Sequence, residues 1–458
     1  MFEIDLAKYK KYDKPGPRYT SYPTAPHFNE SFTHENYLDE IIKTNYGVGL
    51  PDLSLYFHLP FCDTLCYFCG CNMIITRNRN RVKEYINYVK KEIDLVRSYI
   101  LPDRKVTQLH WGGGTPTHLK PDEINDLASY IKDSFEFKDD SENGCEIDPR
   151  ELTREHLEAL RNNGFNRISM GVQDFNDKVQ KAVNRIQPES ITKQTVQWIR
   201  ELEFSSINLD LMYGLPFQTV DTFIETVDKI INISPDRIAV FNYAHVPWLK
   251  KHQALIHPED IPLPEMKLEI LKMTIEKLTN AGYVFIGMDH FAKPDDELAI
   301  ALREKKLYRN FQGYSTRSGT DLYAMGITGI SQLHDVYAQN YKTEREYFLA
   351  LDNETIPVAR GYRLNDDDIL RREVIMKLMC NFELEFANIE KKYNINFKQY
   401  FNWGLNNLKE MEQDELVIVT DNKIEVTQMG KLLIRNIAMN LDGYIERKED
   451  TSKYSRTV

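Results

Sequence analysis

Short apolar runs alternate with longer amphipathic stretches through the first two thirds of the chain. Residues 54–59, 106–110, 145–147, 167–172, 207–211 and 237–241 are mostly apolar and of strand length, the pattern of strands covered on both faces. Between them, residues 82–98, 121–135, 153–162, 190–203 and 219–231 place apolar side chains at helical spacing. Pro121 and Pro188 fall where a helix start tolerates proline. Strands alternating with helices of this length predict a parallel α/β sheet, closed or partly closed into a barrel. No fixed-period repeat or low-complexity segment is visible.

From about Leu364 the texture changes. Residues 366–381 and 401–412 read as helices, 415–420 and 423–426 as a hairpin about Asp421-Asn422, and 428–441 as a further helix. Helix, hairpin and helix predict a smaller, mainly helical, winged-helix-like module. Such modules bind DNA or serve as packing domains, and the acidic balance of the chain favours packing. The expected organisation is an N-terminal arm at 1–50, a catalytic barrel with its extension at 51–363, and the helical module at 364–458.

Polar residues gather where the predicted strands end: a cysteine loop, Gly112-Gly113-Gly114-Thr115-Pro116, Glu146, Gln173, Asp210, and Asn242-Tyr243-Ala244-His245. One such residue says little, because polar groups end strands in any α/β protein. Six successive strand ends describe how a parallel barrel assembles a site.

The 458 residues allow a large domain with a smaller one, and 42% apolar with 28% charged residues is ordinary globular composition. A formal charge of −11 argues against a general nucleic-acid binder, while leaving room for local basic groups that hold an anionic substrate. Met1 to Lys14 lacks the apolar core of a secretory signal, and no run reaches the ~18–20 apolar residues of a membrane span. With most cysteines clustered and no signal, a reducing cytoplasm is expected. Nothing resembles a long coiled coil, and a monomer is expected.

Four of the six cysteines form Cys62-x3-Cys66-x2-Cys69-Gly70-Cys71. Structural zinc is the plain reading of close cysteines, but it draws two Cys/His pairs from knuckles some 12–20 residues apart, and no second pair follows. The spacing suits an iron–sulfur cube, which needs four ligands. Cys71 could be the fourth ligand, a reactive thiol near substrate, or a small buried residue. Cys145 and Cys380 are expected in the packing.

Cys62-x3-Cys66-Tyr67-Phe68-Cys69 resembles the signature of the radical S-adenosylmethionine (SAM) superfamily. The likeness narrows through residues 17–24, Cys69-Gly70-Cys71-Asn72, and residues 110–117, 170–174, 213–216, 241–245, 287–291 and 309–314. Together these resemble the oxygen-independent coproporphyrinogen III oxidase family almost end to end. The resemblance implies a partial (β/α)6 TIM-like barrel, and a [4Fe–4S] cluster on Cys62, Cys66 and Cys69 with SAM on its fourth iron. It leaves Cys71 off the cluster. It further implies that Tyr56, Gly113, Glu146 and Ile330 line a first SAM. Phe68, Gly114, Thr115, Gln173, Arg185, Asp210 and Ala244 would line a second.

The implied substrate is coproporphyrinogen III, two of whose propionates are oxidatively decarboxylated to vinyl groups to give protoporphyrinogen IX. An electron donor of the flavodoxin or ferredoxin type is implied as partner. Candidate propionate anchors are Arg77, Arg79, Arg81 and Lys83, with Arg18, Tyr19 and Tyr22 in the arm and Arg309 or Gln312 later, although a solvated loop explains residues 77–83 equally well. Relatives with the same barrel include methyltransferases, cyclopropanases and haem chaperones. Cys69-Gly70-Cys71 and the arm at 17–24 favour the oxidase.

Overall fold

The structure is a computed structural model that describes residues 6–46, 49–447 and 454. The extreme ends of the expected arm and module, residues 1–5, 448–453 and 455–458, lie outside the described residues, as do 47–48. Six strands form the parallel centre: β1 (Leu53–Leu59), β2 (Val106–Gly113), β3 (Phe137–Ile147), β4 (Arg167–Gln173), β5 (Ser206–Tyr213) and β6 (Arg237–Asn242). The helices α1 (Arg79–Arg97), α2 (Pro121–Ser134), α3 (Arg154–Asn162), α4 (Glu189–Glu201) and α5 (Val220–Ile233) connect them in turn. Strand follows strand in chain order, which is the (β/α)6 arrangement expected. The strands are apolar because helices cover one face and the barrel interior lies on the other. Trp111 on β2, fully buried, meets Phe165 edge-on at 4.9 Å.

The sheet has 12 strands in linear order, so the barrel stays open. Asp321–Met325 pairs parallel with the outer side of β1, and the antiparallel strands Ile330–Leu333, Val336–Asn340 and Val358–Arg363 continue that edge. His290–Ala292 and Val284–Gly287 extend the other edge beyond β6. These flanking strands are short and had no sequence pattern of their own. β3 also begins earlier than its apolar run, because Lys138, Asp139 and Asp140 are extended without being buried.

After the last sheet strand comes the helix Asp366–Asn381, started by Asn365, whose side chain accepts from the Asp368 N–H. The later helix is Asn402–Gln413, and the hairpin strands are Val417–Val419 and Lys423–Val426. A third strand, Glu383–Glu385, pairs with Lys423–Val426. The next helical segment is a 3-10 turn, Gly430–Leu433, that runs into Ile434–Met439, and a short helix, Gly443–Glu446, follows it. The arginine of Ile434–Met439 points inward: Arg435 is buried and donates to the carbonyls of Gly16 and Pro17. That orientation removes the residue a DNA-reading helix would need outside.

The arm is fastened to this module. Tyr9 Oη donates to the Met429 carbonyl (2.6 Å), Asn436 Nδ2 to the Tyr12 carbonyl (2.7 Å), and Tyr19 Oη to Asp442 (2.9 Å). Tyr22 Oη accepts from the Gly443 N–H at 3.0 Å.

Candidate cluster and cofactor site

At the carboxyl ends of β1 to β5 lies a cleft of about 190 Å³. Cys62, Cys66 and Cys69 face it, with Cys71 at the rim. The loop that carries them is held from outside itself. Tyr67 N–H bonds to the Val183 carbonyl (3.0 Å), and Asn184 Nδ2 donates to the Leu65 carbonyl (2.8 Å). From the segment after β6, Gln253 Nε2 donates to the Phe68 carbonyl (2.9 Å), His252 Nε2 lies 2.8 Å from the Cys69 carbonyl, and Lys250 Nζ donates to that of Cys71 (2.9 Å). The short stretch that holds the thiols is thus fixed by backbone carbonyls taken up by neighbours.

The end of β2 crosses directly beneath the loop. Gly114 N–H bonds to the Leu59 carbonyl at 2.9 Å and Thr115 N–H to that of Phe61 at 2.8 Å. A Cβ on Gly114 would stand 2.4 Å from the Pro60 backbone, so glycine is required for this crossing. On β4, a Cβ at Gly171 would meet Gln173 Nε2 at 2.6 Å. Its absence lets Arg185 Nη2 reach the Gly171 carbonyl at 2.7 Å. β4 ends in a register shift at Gly171/Gln173, and Gln173 has a left-handed φ of 68°, a strained conformation of the sort held at functional sites.

The acids of the cleft are set apart by their surroundings. Burial opposes ionisation of Glu146, but hydrogen bonds from His110 Nε2 (3.2 Å) and the Gly113 N–H (3.3 Å) bring its carboxyl below the ordinary range. Asp210 goes the other way: burial pushes it up to about 7, despite hydrogen bonds from Asn208 and Ser169. Neighbouring carboxyls therefore offer one ionised acceptor and one that is half protonated near neutrality. Burial also pushes the Cys62 thiol up to about 12, whereas the Cys71 hydrogen bond brings Cys69 down. Coordination to a metal deprotonates a thiol outright.

Of the candidate site residues, Cys62, Cys66, Phe68, Cys69, Gly113, Gly114, Thr115, Glu146, Gln173, Arg185 and Asp210 all line this cleft. Tyr56 lies beside it, stacked on His110 at 6.0 Å between ring centres. Ala244 is exposed in the segment after β6, and Ile330 packs against the cluster of Phe28, Tyr337 and Leu364; neither lines the cleft. Sequence reasoning missed Asp148 and Arg150. Burial works against the Asp148 charge, but the Arg185 and Arg150 guanidiniums hold its carboxyl well below the usual range. Arg150 Nη2 also donates to Cys66 Sγ at 3.4 Å. Their position directly after β3, two and four residues beyond Glu146, was the available signal.

Most of the proposed propionate anchors are engaged elsewhere. Arg79 pairs with Glu123, Arg81 with Glu344, and Arg18 with Asp289. Tyr19 and Tyr22 are fully buried against the module.

The donor set fits a cluster with a bound nucleotide. Three thiols share one cleft with acceptors for hydroxyl and ammonium groups, and Gln173 Oε1 is buried there with no hydrogen-bond partner among the described residues. The radical SAM superfamily model matches residues 56–230, and the HemN C-terminal domain model matches residues 364–433. The oxygen-independent coproporphyrinogen III oxidase of Synechocystis is 48% identical over 460 residues, covering 100% of this chain and 98% of its own. The protein of the same name from Escherichia coli is 46% identical, at 100% and 99% coverage. A solved structure of coproporphyrinogen III oxidase (HemN) from Escherichia coli, described as a radical SAM enzyme, superposes with a TM-score of 0.92. It is 45% identical and covers 97% of this chain and 99% of its own. By sequence along its whole length and by fold, the chain belongs to the oxygen-independent coproporphyrinogen III oxidase family of radical SAM enzymes.

Proposed function

We propose that the protein converts coproporphyrinogen III to protoporphyrinogen IX without oxygen, in haem biosynthesis. The observation that carries this reading is the meeting of Cys62, Cys66 and Cys69 with the strand-end acids in one cleft, on a chain 44–48% identical throughout to coproporphyrinogen III oxidases. When bound, the [4Fe–4S] cluster and SAM supply a 5′-deoxyadenosyl radical. At each of two propionates the 5′-deoxyadenosyl radical would take a hydrogen atom from the β-carbon, giving 5′-deoxyadenosine; loss of CO2 and of one electron to an external one-electron acceptor would then leave a vinyl group.

Cys62, Cys66 and Cys69 would hold the cluster, with SAM bound beside it in the same cleft. The Gly113 backbone would bind along the methionine portion of the first SAM, and Glu146 would accept from its polar groups. The family likeness adds Tyr56, which lies beside the cleft on His110, and Ile330, which packs outside its lining. A second SAM beside the first would meet Phe68, Gly114, Thr115, Gln173, Arg185, Asp210 and Ala244, with the unpartnered Gln173 carbonyl as an acceptor. Filled by its cofactors and substrate, the cleft would keep water and stray hydrogen donors away from the reacting carbon. The electron comes from a low-potential donor of the flavodoxin or ferredoxin type, and the protein works as a cytoplasmic monomer. Among the described residues no helix is long and apolar enough to cross a membrane.

The test is anaerobic incubation of the protein with SAM, a reductant and coproporphyrinogen III. Protoporphyrinogen IX and 5′-deoxyadenosine should appear together. Haem binding without turnover, or methyl transfer, contradicts the reading.

A further inference from the structure

Three of the four tryptophans are buried or half-buried, and the fourth, Trp248 in the segment after β6, is 74% exposed. Leu249 beside it is 69% exposed. Trp248 stands in a tight turn, in which the Leu249 and Lys250 N–H groups both bond to the Val246 carbonyl at 2.9 Å. One buried side chain ties this turn to the cysteine loop. Gln253 accepts from the Val246 N–H at 2.6 Å and donates to the Phe68 carbonyl at 2.9 Å. Lys250 Nζ reaches the Cys71 carbonyl at 2.9 Å. Trp248 is two residues from that contact, at most about 7 Å of chain. A large aromatic side chain is therefore presented to solvent on a fixed turn directly outside the loop that carries the thiols.

The charge around this turn opposes that of the chain. The sequence carries −11 overall, yet no acid occurs from residue 237 to residue 258, and Lys250 and Lys251 directly follow the Trp248–Leu249 pair. On the other flank of the cysteine loop, the helix Asp177–Ala182 carries Lys178 and Lys181, both exposed, against the single acid Asp177. That helix leads into Val183 and Asn184, which hold Tyr67 and Leu65 of the loop. Val179 and Val183 pack in one cluster with Phe68 and Ile256, so the two flanks meet around the loop. Among the described residues none of the four lysines is paired with a carboxylate. An exposed apolar centre with an unneutralised basic rim is the make-up of a protein-binding patch, and its charge selects an acidic partner.

We propose that this face docks a small acidic electron-carrier protein, which delivers its electron to the cluster through the cysteine loop. The inference rests on the SAM-dependent reaction, because each cleavage of SAM draws one electron from outside the chain. SAM and substrate approach the thiols from within the cleft, and the outer face of the loop is the side left for a donor. Trp248 and Leu249 form the dry centre of the contact, and the lysines steer the approach. In the transfer the carrier passes one electron to the cluster, and no bond is made or broken. Electron-transfer contacts are small and short-lived, so two exposed apolar side chains and a basic rim suffice.

Calorimetric titration of the full chain, purified anaerobically with its cluster, tests this. The probes are an oxidised acidic flavodoxin, an oxidised acidic [2Fe–2S] ferredoxin and, as a basic control, cytochrome c. At about 0.02 M salt at least one acidic carrier should bind at a single site, and about tenfold more weakly at about 0.3 M; cytochrome c should not bind. Trp248→Ala, and Lys181→Glu combined with Lys251→Glu, should each weaken the carrier about tenfold. A second readout compares electron sources. Formation of 5′-deoxyadenosine driven by the reduced carrier should fall in these variants, while that driven by dithionite, which needs no docking, keeps the parent's rate. A parent that makes vinyl product with dithionite yet binds neither carrier overturns the docking face and leaves the reaction standing. A parent that binds the carrier through these residues yet makes no product supports the face and faults the reaction. Unchanged carrier affinity in both variants overturns the proposal. So does an equal loss of dithionite-driven turnover in Trp248→Ala, which places the tryptophan over the substrate, or a parent dimer that this variant dissolves, which places a second copy of the chain there.

Discussion

The same parallel strands end differently at their two extremities. At the amino ends the polar side chains are closed against one another. Arg104 meets Asp321, Arg167 meets Glu142 and Glu297, Arg237 meets Asp296 and Glu297, and Ser54 Oγ donates to Gln108. At the carboxyl ends they are left available: Gln173 Oε1 and Arg185 Nε lack partners, Asp210 is half protonated near neutrality, and Gln173 is strained. Satisfied pairs hold a barrel together, while unsatisfied ones are what a ligand can complete. Buried atoms without a hydrogen-bond partner occur at the amino ends too, such as Arg167 Nε and Asn143 Oδ1, but there Arg167 still pairs with Glu142 and Glu297.

The sharpest way to break this contrast is a substitution at each end. Cys66→Ser should remove the cluster and with it essentially all turnover, a loss of about 10³-fold or more. The loss should be read as protein-bound iron together with vinyl product. Wild-type iron content in this variant would sink the assignment. Asp321→Ala at the other end leaves Arg104 buried and unpaired, at a cost of about 3–5 kcal/mol, seen as a lower urea midpoint. The folded fraction should keep its cofactor affinity.

Next in size is Glu92→Gln. Glu92 is buried and accepts from the Gly326 N–H (2.7 Å), Asn340 Nδ2 (2.7 Å) and Tyr347 Oη (2.5 Å) beneath the turn that leads to Ile330. An amide there turns a donor toward donors, at about 1–3 kcal/mol, again as a urea midpoint shift.

A pH series sharpens the contrast further. Burial places the Asp210 carboxyl near 7 in the folded chain, against an ordinary 3.8. The folded state therefore holds this proton more tightly than the unfolded one. The resulting stabilisation is complete below about pH 4 and is lost as pH rises through 7. Thermal midpoints of Asp210→Asn should gain on the parent between pH 4 and pH 8, and a constant difference across that range would count against it. The smallest effect belongs to Lys398→Ala, which breaks an exposed pair with Asp421 and should leave the midpoint within error.

The parallel centre was legible because strands covered on both faces must be apolar, and a one-sided pattern would have been weaker. Glu146 and Asp210 were legible because each interrupts the apolar run of its own strand toward the carboxyl end. Asp148 and Arg150 were not, since a charged pair beyond a strand looks like any solvated turn until its partners are known. The strands Ile330–Leu333 and Glu383–Glu385 are too short to carry a period. The hold of residues 250–253 on the cysteine loop runs through backbone carbonyls, which no side-chain pattern encodes. Ile330 came from resemblance alone and Ala244 from a strand-end run to which the resemblance gave a role, and both lie outside the cleft lining.

The clasp between Arg435 and the carbonyls of Pro17 and Gly16 joins residues 418 and 419 positions apart. During synthesis this latch cannot close until residue 435 has been made, long after all six parallel strands exist. Substituting Arg435 should therefore loosen the arm and the module together while leaving the strands between them formed.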